Sequence, residues 1–195
     1  MAQFDPFRKV LEDAAEKGKN TGSLAGRRWL QRQIKQLVKK PNQIMRLKDR
    51  MSTRVEIGKM YLFRYNPKTA SKLLYYDRYP LVFPIKRGRG GFIGLNLHYL
   101  SPKMRMIFLA KLMSNIDINN IEDDDEINVS YNKLKNSARL KAFRPCIKLY
   151  LKGRVETPFL KINAKEWEMA TILPLDRFQK QADTKVWADS RRIIG

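Results

Sequence analysis

Residues 81–100 read LVFPIKRGRGGFIGLNLHYL, two apolar runs on either side of the short basic, glycine-rich segment KRGRGG. The apolar runs, residues 81–86 and residues 92–100, have the length and composition of strands. Glycines between two such runs permit positive φ angles and favour a tight turn. The sequence therefore predicts a β-hairpin with a basic, exposed tip.

The tip of this hairpin contains three cations, Lys86, Arg87 and Arg89. Cations at an exposed tip suit contact with DNA phosphates, and a plain solvent-exposed hairpin is the alternative. The segment is not a Walker loop, because it lacks the closing Gly-Lys-Ser/Thr and no helix is expected after it, so nucleotide hydrolysis has no support. We therefore take these three residues as candidate nucleic-acid-binding residues.

The segments around the hairpin alternate between strand and helix patterns. Residues 59–65 and residues 159–162 predict further strands, and residues 103–113 predict a helix that covers the sheet. Asn163 and Glu166 form a capping box for another helix. The expected fold class is α+β, a small bent antiparallel sheet or SH3-like barrel packed with helices.

The N-terminal segment predicts two helices. Asp5, followed by a proline, is a good N-cap, and a second helix is expected after Ser23 up to Lys40, where the next proline stops it. We expect a basic helical N-terminal arm over residues 1–55, followed by a compact α+β domain over residues 56–195.

The second of these helices is amphipathic, with aliphatic residues on one side. At 100° per residue, four cations fall within about 60° of one another on the opposite side. These cations, the basic ridge, are Arg28, Arg32, Lys35 and Lys39. No acidic residue occurs between Glu16 and Asp49. The ridge predicts contact with a phosphate backbone, and the alternatives are a solvated face, an acidic protein partner or a membrane surface.

The charge of the chain is strongly positive and unevenly distributed. The formal net charge is +21 over 195 residues; residues 1–115 contain 25 basic and 7 acidic groups, and residues 116–195 contain 15 and 12. Such an excess calls for a polyanionic partner, and nucleic acid is favoured because neutralised phosphates release condensed counterions. The alternative explanations of the positive charge are solubility and packing against an acidic protein. We expect the first part of the chain to face the polyanion.

Residues suited to catalysis or metal binding are few. Cys146 is the only cysteine, and its apolar neighbours favour a buried structural thiol; His98 is the only histidine and is expected to be a packed or hydrogen-bonded strand residue. The acidic run at residues 122–126 favours a solvated loop or a clasp onto the basic half. We predict no catalytic residue, no cofactor and no metal. A metal-dependent nuclease using carboxylates such as Asp77 and Glu56 is the less favoured alternative.

Two blocks of sequence resemble a known family. They are residues 58–100, with YLFRY at 61–65, LYYDRYPL at 74–81 and GLNLHYL at 94–100, and residues 148–178, with KLYL at 148–151 and LPLDRF at 173–178. Together they resemble small virion proteins of T4-like tailed phages, most closely the DNA end protector group. The resemblance implies a non-enzymatic structural protein at the head-tail region of the virion, which holds the genome terminus and shields it from exonuclease.

The expected partners are double-stranded DNA and other phage virion proteins of the neck, portal or tail. The main alternative is a structural neck, tail or baseplate component whose basic arm binds a protein ring or lines the DNA channel. No apolar run approaches the roughly 18 residues of a membrane span, and the N-terminus lacks the apolar core of a signal peptide. We therefore expect no membrane partner and no small-molecule substrate, with the protein in the host cytoplasm during assembly and then in the virion.

Overall fold

A computed structural model describes residues 4–113, 141–173 and 178–194 of the chain. The strands, all paired antiparallel in the order β1-β6-β2-β3-β4-β5, are β1 (Met51–Ser52), β2 (Met60–Leu62), β3 (Leu81–Gly88), β4 (Gly91–Asn96), β5 (Ile147–Leu151) and β6 (Phe159–Ile162). The helices are α1 (Pro6–Glu16), α2 (Leu24–Leu37), α3 (Pro102–Met113), α4 (Trp167–Ala170) and α5 (Asp183–Ile194). The α+β class is confirmed. The sheet is open and an SH3-like barrel is not confirmed; the acidic run at residues 122–126 lies outside the described residues.

Strands β3 and β4 form the predicted hairpin. Gly88 pairs with Gly91, so the loop consists of two residues, and Gly90 takes the positive φ of 74° that the turn requires. Gly91 is needed for a different reason, because a Cβ there would overlap the carbonyl oxygen of Tyr150 in β5. Strand β4 is shorter than predicted: it ends at Asn96, whose side chain caps the 3-10 turn Leu97–Tyr99.

An aromatic cluster lies on one face of the sheet. This cluster contains Tyr61, Phe63, Tyr65, Val82, Phe92, Tyr150 and Phe159. The rings of Phe92 in β4 and Phe159 in β6 lie 5.9 Å apart, although two strands separate β4 from β6. In a flat sheet these strands would be roughly 14 Å apart at the usual strand spacing. The close approach of these rings agrees with the bend predicted from the sequence, which stays a prediction.

The other face of the sheet packs against the helices. Phe7 of α1 and Ile34 of α2 are fully buried in the same hydrophobic cluster as Phe83 of β3. The ring of Trp167 in α4 lies 4.8 Å from that of Phe83, in an edge-to-face arrangement. The N-terminal helices thus share a core with the sheet. The division of the chain into an arm over residues 1–55 and a domain over residues 56–195 stays a prediction.

Helix α2 ends earlier than the sequence predicts. It stops at Leu37 rather than at Lys40, and Val38 already has an extended backbone and is 1% exposed. Lys40 is extended as well, with φ −139° and ψ 146°, because the ring of the following proline disfavours a helical backbone at the preceding residue. Lys39 consequently lies just beyond the helix.

A cluster of charged side chains joins the N-terminal segment to the capping box before α4. The guanidinium of Arg50 donates to both carboxylate oxygens of Glu166, at 2.5 and 2.7 Å, and to Asp5 at 2.6 Å. Asp5 is also the N-cap of α1, and Glu166 accepts the backbone N–H of Asn163 at 3.0 Å. The predicted N-cap and capping box are both present, and Arg50 connects them.

Cys146 is the buried structural thiol that the sequence predicts. It is 0% exposed, and burial raises the pKa of its thiol to about 12, with Lys148 and Arg105 opposing this shift. At pH 8 the thiol is therefore protonated and shielded. We expect a disulfide reagent at pH 8 to label the native protein at least about a hundredfold more slowly than the urea-unfolded protein. Similar rates in the two states would place the thiol at the surface.

Candidate nucleic-acid interface

The basic ridge lies on the solvent side of α2. Ser23 caps the helix through its Oγ, which accepts the backbone N–H of Gly26 at 3.0 Å. Arg28, Arg32 and Lys35 are exposed, while the opposite side of the helix is buried. The fourth cation, Lys39, is also exposed, but its ammonium turns back and donates to the carbonyl of Lys35 at 2.9 Å. The ridge is thus three helical cations followed by a lysine at the helix C-terminus.

None of the four ridge cations is paired with a carboxylate within residues 4–113, 141–173 and 178–194. The neighbouring Arg27 does have such a partner, Glu168 in α4, at 3.3 Å. That ion pair helps to hold α2 on the core and does not involve the ridge. Uncompensated cations of one sign attract a polyanion more strongly than the mixed charges of an ordinary surface.

The hairpin tip is basic and exposed, as predicted. Lys86, Arg87 and Arg89 are all exposed there. The structure adds two exposed cations that the sequence analysis missed, Lys152 and Arg154, which belong to the 3-10 turn after β5. This turn touches the hairpin directly, because the backbone N–H of Lys152 donates to the carbonyl of Gly90 at 2.9 Å. These five cations together form what we call the basic tip.

The ridge and the basic tip occupy different parts of the fold. Helix α2 packs against α1 and α4, whereas the basic tip lies where β3, β4 and the end of β5 meet. The sequence-predicted residues therefore form two basic surfaces. Their contact with DNA stays a prediction.

His98 and Asp77 belong to a buried polar network. Asp77 accepts the backbone N–H of Tyr79 at 2.9 Å and the side-chain amide of Asn96 at 3.1 Å, and it lies 2.6 Å from Nδ1 of His98. The amide of Asn96 also donates to the hydroxyl of Tyr150 at 3.1 Å. His98 is buried and hydrogen-bonded as predicted, but it lies in the 3-10 turn after β4 instead of in a strand.

A second set of hydrogen bonds fixes this turn from the other side. The carbonyl of His98 accepts the indole N–H of Trp187 in α5 at 2.8 Å. Arg105 donates to the carbonyls of Leu100 and Thr171 at 2.8 and 2.7 Å, and burial lowers the pKa of its guanidinium to about 10. Backbone carbonyls thus hold this buried cation, and the turn containing His98 is rigidly supported.

The carboxylates named for a nuclease have other partners. Glu56 is paired with Lys59 at 2.6 Å, whereas Asp77 lies in the buried network. In the part of the chain that the structure describes, no group of three or more His, Cys, Asp or Glu residues is arranged to hold a metal ion.

Comparison with models of protein families gives a match. A family model described as the phage T4 terminal DNA protecting protein matches residues 2–190. The chain belongs to this family. No curated protein and no solved structure matches it. The match spans both blocks that carry the resemblance to the DNA end protector group, and that resemblance is confirmed.

Membership of the terminal DNA protecting family identifies the chain as a phage protein of the virion or the infected cell. The name of the family refers to the protection of terminal DNA. Among the described helices, none combines the length and the apolar character needed to cross a membrane.

Proposed function

We propose that the protein is a non-enzymatic virion protein that binds the end of the packaged duplex DNA at the head-tail region and shields it from exonuclease. Its partners are double-stranded DNA and the neck, portal or tail proteins that hold it there. The family match carries this proposal. It is supported by the ridge, whose cations have no carboxylate partner in the described residues, and by the basic tip.

Physical chemistry makes these surfaces suitable for DNA held without sequence readout. Phosphates attract exposed Lys and Arg regardless of sequence, and each neutralised phosphate releases a counterion. A protein that protects a genome terminus needs this property, because it must bind whatever sequence lies at the end. The two surfaces supply affinity, and end preference needs a further element.

A comparison of linear and closed circular duplex DNA tests the proposal. We expect tighter binding to the linear form across a salt series, with affinity falling steeply as salt rises. Bound linear DNA should resist exonuclease digestion. The closed circle of the same sequence is the matched control, since it differs only in lacking ends.

The opposite outcome would favour a structural component. Weak binding with no preference for linear DNA, and ends that exonuclease still degrades, would contradict end protection. The charge would then serve a protein ring of the neck, tail or baseplate, or a channel that DNA traverses.

A further inference from the structure

A pocket of about 270 Å³ opens beside the basic tip. Four tyrosines line it, Tyr65, Tyr76, Tyr99 and Tyr150, and Asp77 and Asn96 of the buried network contribute to it as well. Its volume lies near the lower end of the roughly 300–1,000 Å³ range of ligand pockets, so it suits one nucleotide-sized group and not a duplex. We call it the tyrosine pocket.

Lys148 brings a positive charge to the tyrosine pocket, where the carboxylate of Asp77 is already bonded to Tyr79, Asn96 and His98. Its ammonium lies 4.0 Å from the centre of the Tyr99 ring and is half-buried. Within the described residues it has no carboxylate partner, and burial lowers the pKa of this ammonium. An anion bound beside Lys148 would compensate the cost of burying its charge.

One wall of the tyrosine pocket is held in place by a lysine from a distant part of the chain. The ammonium of Lys180 donates to the carbonyls of Ala70, Ser71 and Leu73, at 2.7, 2.9 and 3.0 Å. Lys180 itself has a φ of 72°, which is uncommon for a residue other than glycine. The wall is therefore fixed by specific contacts, which suits a pocket shaped before its ligand arrives.

The tyrosine pocket adjoins the basic tip through shared contacts. Leu149 and Leu151 line the pocket and also lie close to the glycines of the hairpin turn. A Cβ placed on Gly88 would lie 3.0 Å from Leu149, and one placed on Gly90 would lie 4.0 Å from Leu151. Leu149 is also 51% exposed, so the mouth of the pocket has an apolar rim next to the five cations of the basic tip. Phosphates held by the basic tip would bring the nucleotide next to them close to this mouth.

We infer that the tyrosine pocket holds the terminal nucleotide of a DNA duplex, with its base against the half-buried ring of Tyr76 and its phosphate at Lys148. Inside a duplex both faces of every base are stacked, whereas the terminal base is stacked on one face only. Aromatic side chains bind bases of any sequence through their faces. The pocket thus supplies end preference, and the inference rests on the proposed function.

Two duplexes that share one stem sequence test this inference. The first is a DNA hairpin with one free blunt end, and the second is a dumbbell whose two ends are both closed by loops. We expect the protein to prefer the hairpin. The fluorescent base 2-aminopurine, placed at the free end, should change its emission on binding, whereas the same base in the middle of the stem should not.

Two single substitutions then probe the pocket, Lys148→Gln for the phosphate and Tyr76→Leu for stacking. Each should reduce the preference for the free end by between about fivefold and a hundredfold and leave dumbbell affinity unchanged. Lys72→Gln is the matched control, because Lys72 is exposed beside the same wall, loses the same charge and does not line the pocket. Its preference for the free end should equal that of the wild type, and thermal melts confirm that all three variants are folded.

The outcomes separate the two ideas. A wild-type preference for the free end that both variants retain, with no change in terminal 2-aminopurine emission, would overturn the pocket as the end-binding site and leave the proposed function intact. Equal binding of hairpin and dumbbell by the wild type would overturn the proposed function, and the pocket inference with it.

Discussion

Replacing all four cations of the basic ridge with glutamine is expected to flatten the salt dependence of DNA binding by about three to four units in the slope of log K against log salt concentration. Each phosphate that a cation neutralises contributes about 0.9 to this slope on duplex DNA. Arg28, Arg32 and Lys35 are exposed on one side of α2, and each should make a full contribution to the slope. Lys39 donates to a helix carbonyl and should contribute less to the slope. Binding isotherms over a salt series measure the slope directly.

The matched control removes the same charge elsewhere. Lys103, Lys165, Arg191 and Arg192 are exposed and lie outside the ridge and the basic tip, so their joint replacement with glutamine also lowers the net charge by four. This variant should keep most of the slope, since general attraction between charges not in contact is screened beyond about 10 Å. Equal losses in the two variants would mean that total charge and not the ridge governs binding. An unchanged slope in the ridge variant would remove the ridge from the interface.

Local signals in the sequence predicted the elements that local physics determines. The hairpin follows from its glycines, since the positive φ of Gly90 is a requirement of one tight turn. The cap at Asp5 and the capping box of Asn163 and Glu166 follow from side chains that bond to backbone groups two or three residues away. The ridge was predictable because exposure on a helix repeats with its 3.6-residue period.

Elements that depend on distant contacts were missed or misplaced. Strand β1 has only two residues and exists because Met51 pairs with Leu160, more than a hundred residues away. Lys152 joins the basic tip because its N–H bonds to Gly90, and the sequence gives no sign of that contact. His98 leaves the strand pattern because the side chain of Asn96 caps a turn there. Apolar alternation alone does not distinguish that turn from a continued strand.

The tyrosine pocket lay beyond prediction for the same reason. Its lining comes from separate stretches near residues 65–77, 96–99 and 148–151, which only the folded sheet brings together. Tyrosine and leucine in those stretches are typical of a core, and nothing in their spacing indicates a cavity. That Lys148 has no carboxylate partner among the described residues becomes visible only when its neighbours in space are known.

Replacing Arg50 with methionine is expected to lower the free energy of unfolding by about 3 to 5 kcal/mol. The Arg50 side chain is 14% exposed and its partners Asp5 and Glu166 are 18% and 3% exposed, so the substitution leaves two carboxylates largely buried without their cation. It also disconnects the N-cap of α1 from the capping box before α4. Urea denaturation followed by circular dichroism measures the loss.

A charge-matched rescue separates this cause from the loss of packing. Adding Asp5→Asn and Glu166→Gln to Arg50→Met removes the buried negative charges but keeps an acceptor at each cap, so we expect at least about 1 kcal/mol to be recovered. Arg54→Met is the control, since Arg54 is exposed, and it should change stability by less than about 0.5 kcal/mol. No recovery in the triple variant would show that Arg50 acts by packing against Phe7, whose ring centre lies 5.7 Å from its guanidinium. Helices that share one core with the sheet should unfold together with it, in a single step. Unfolding in two steps would instead mean that the first 55 residues unfold as a unit of their own.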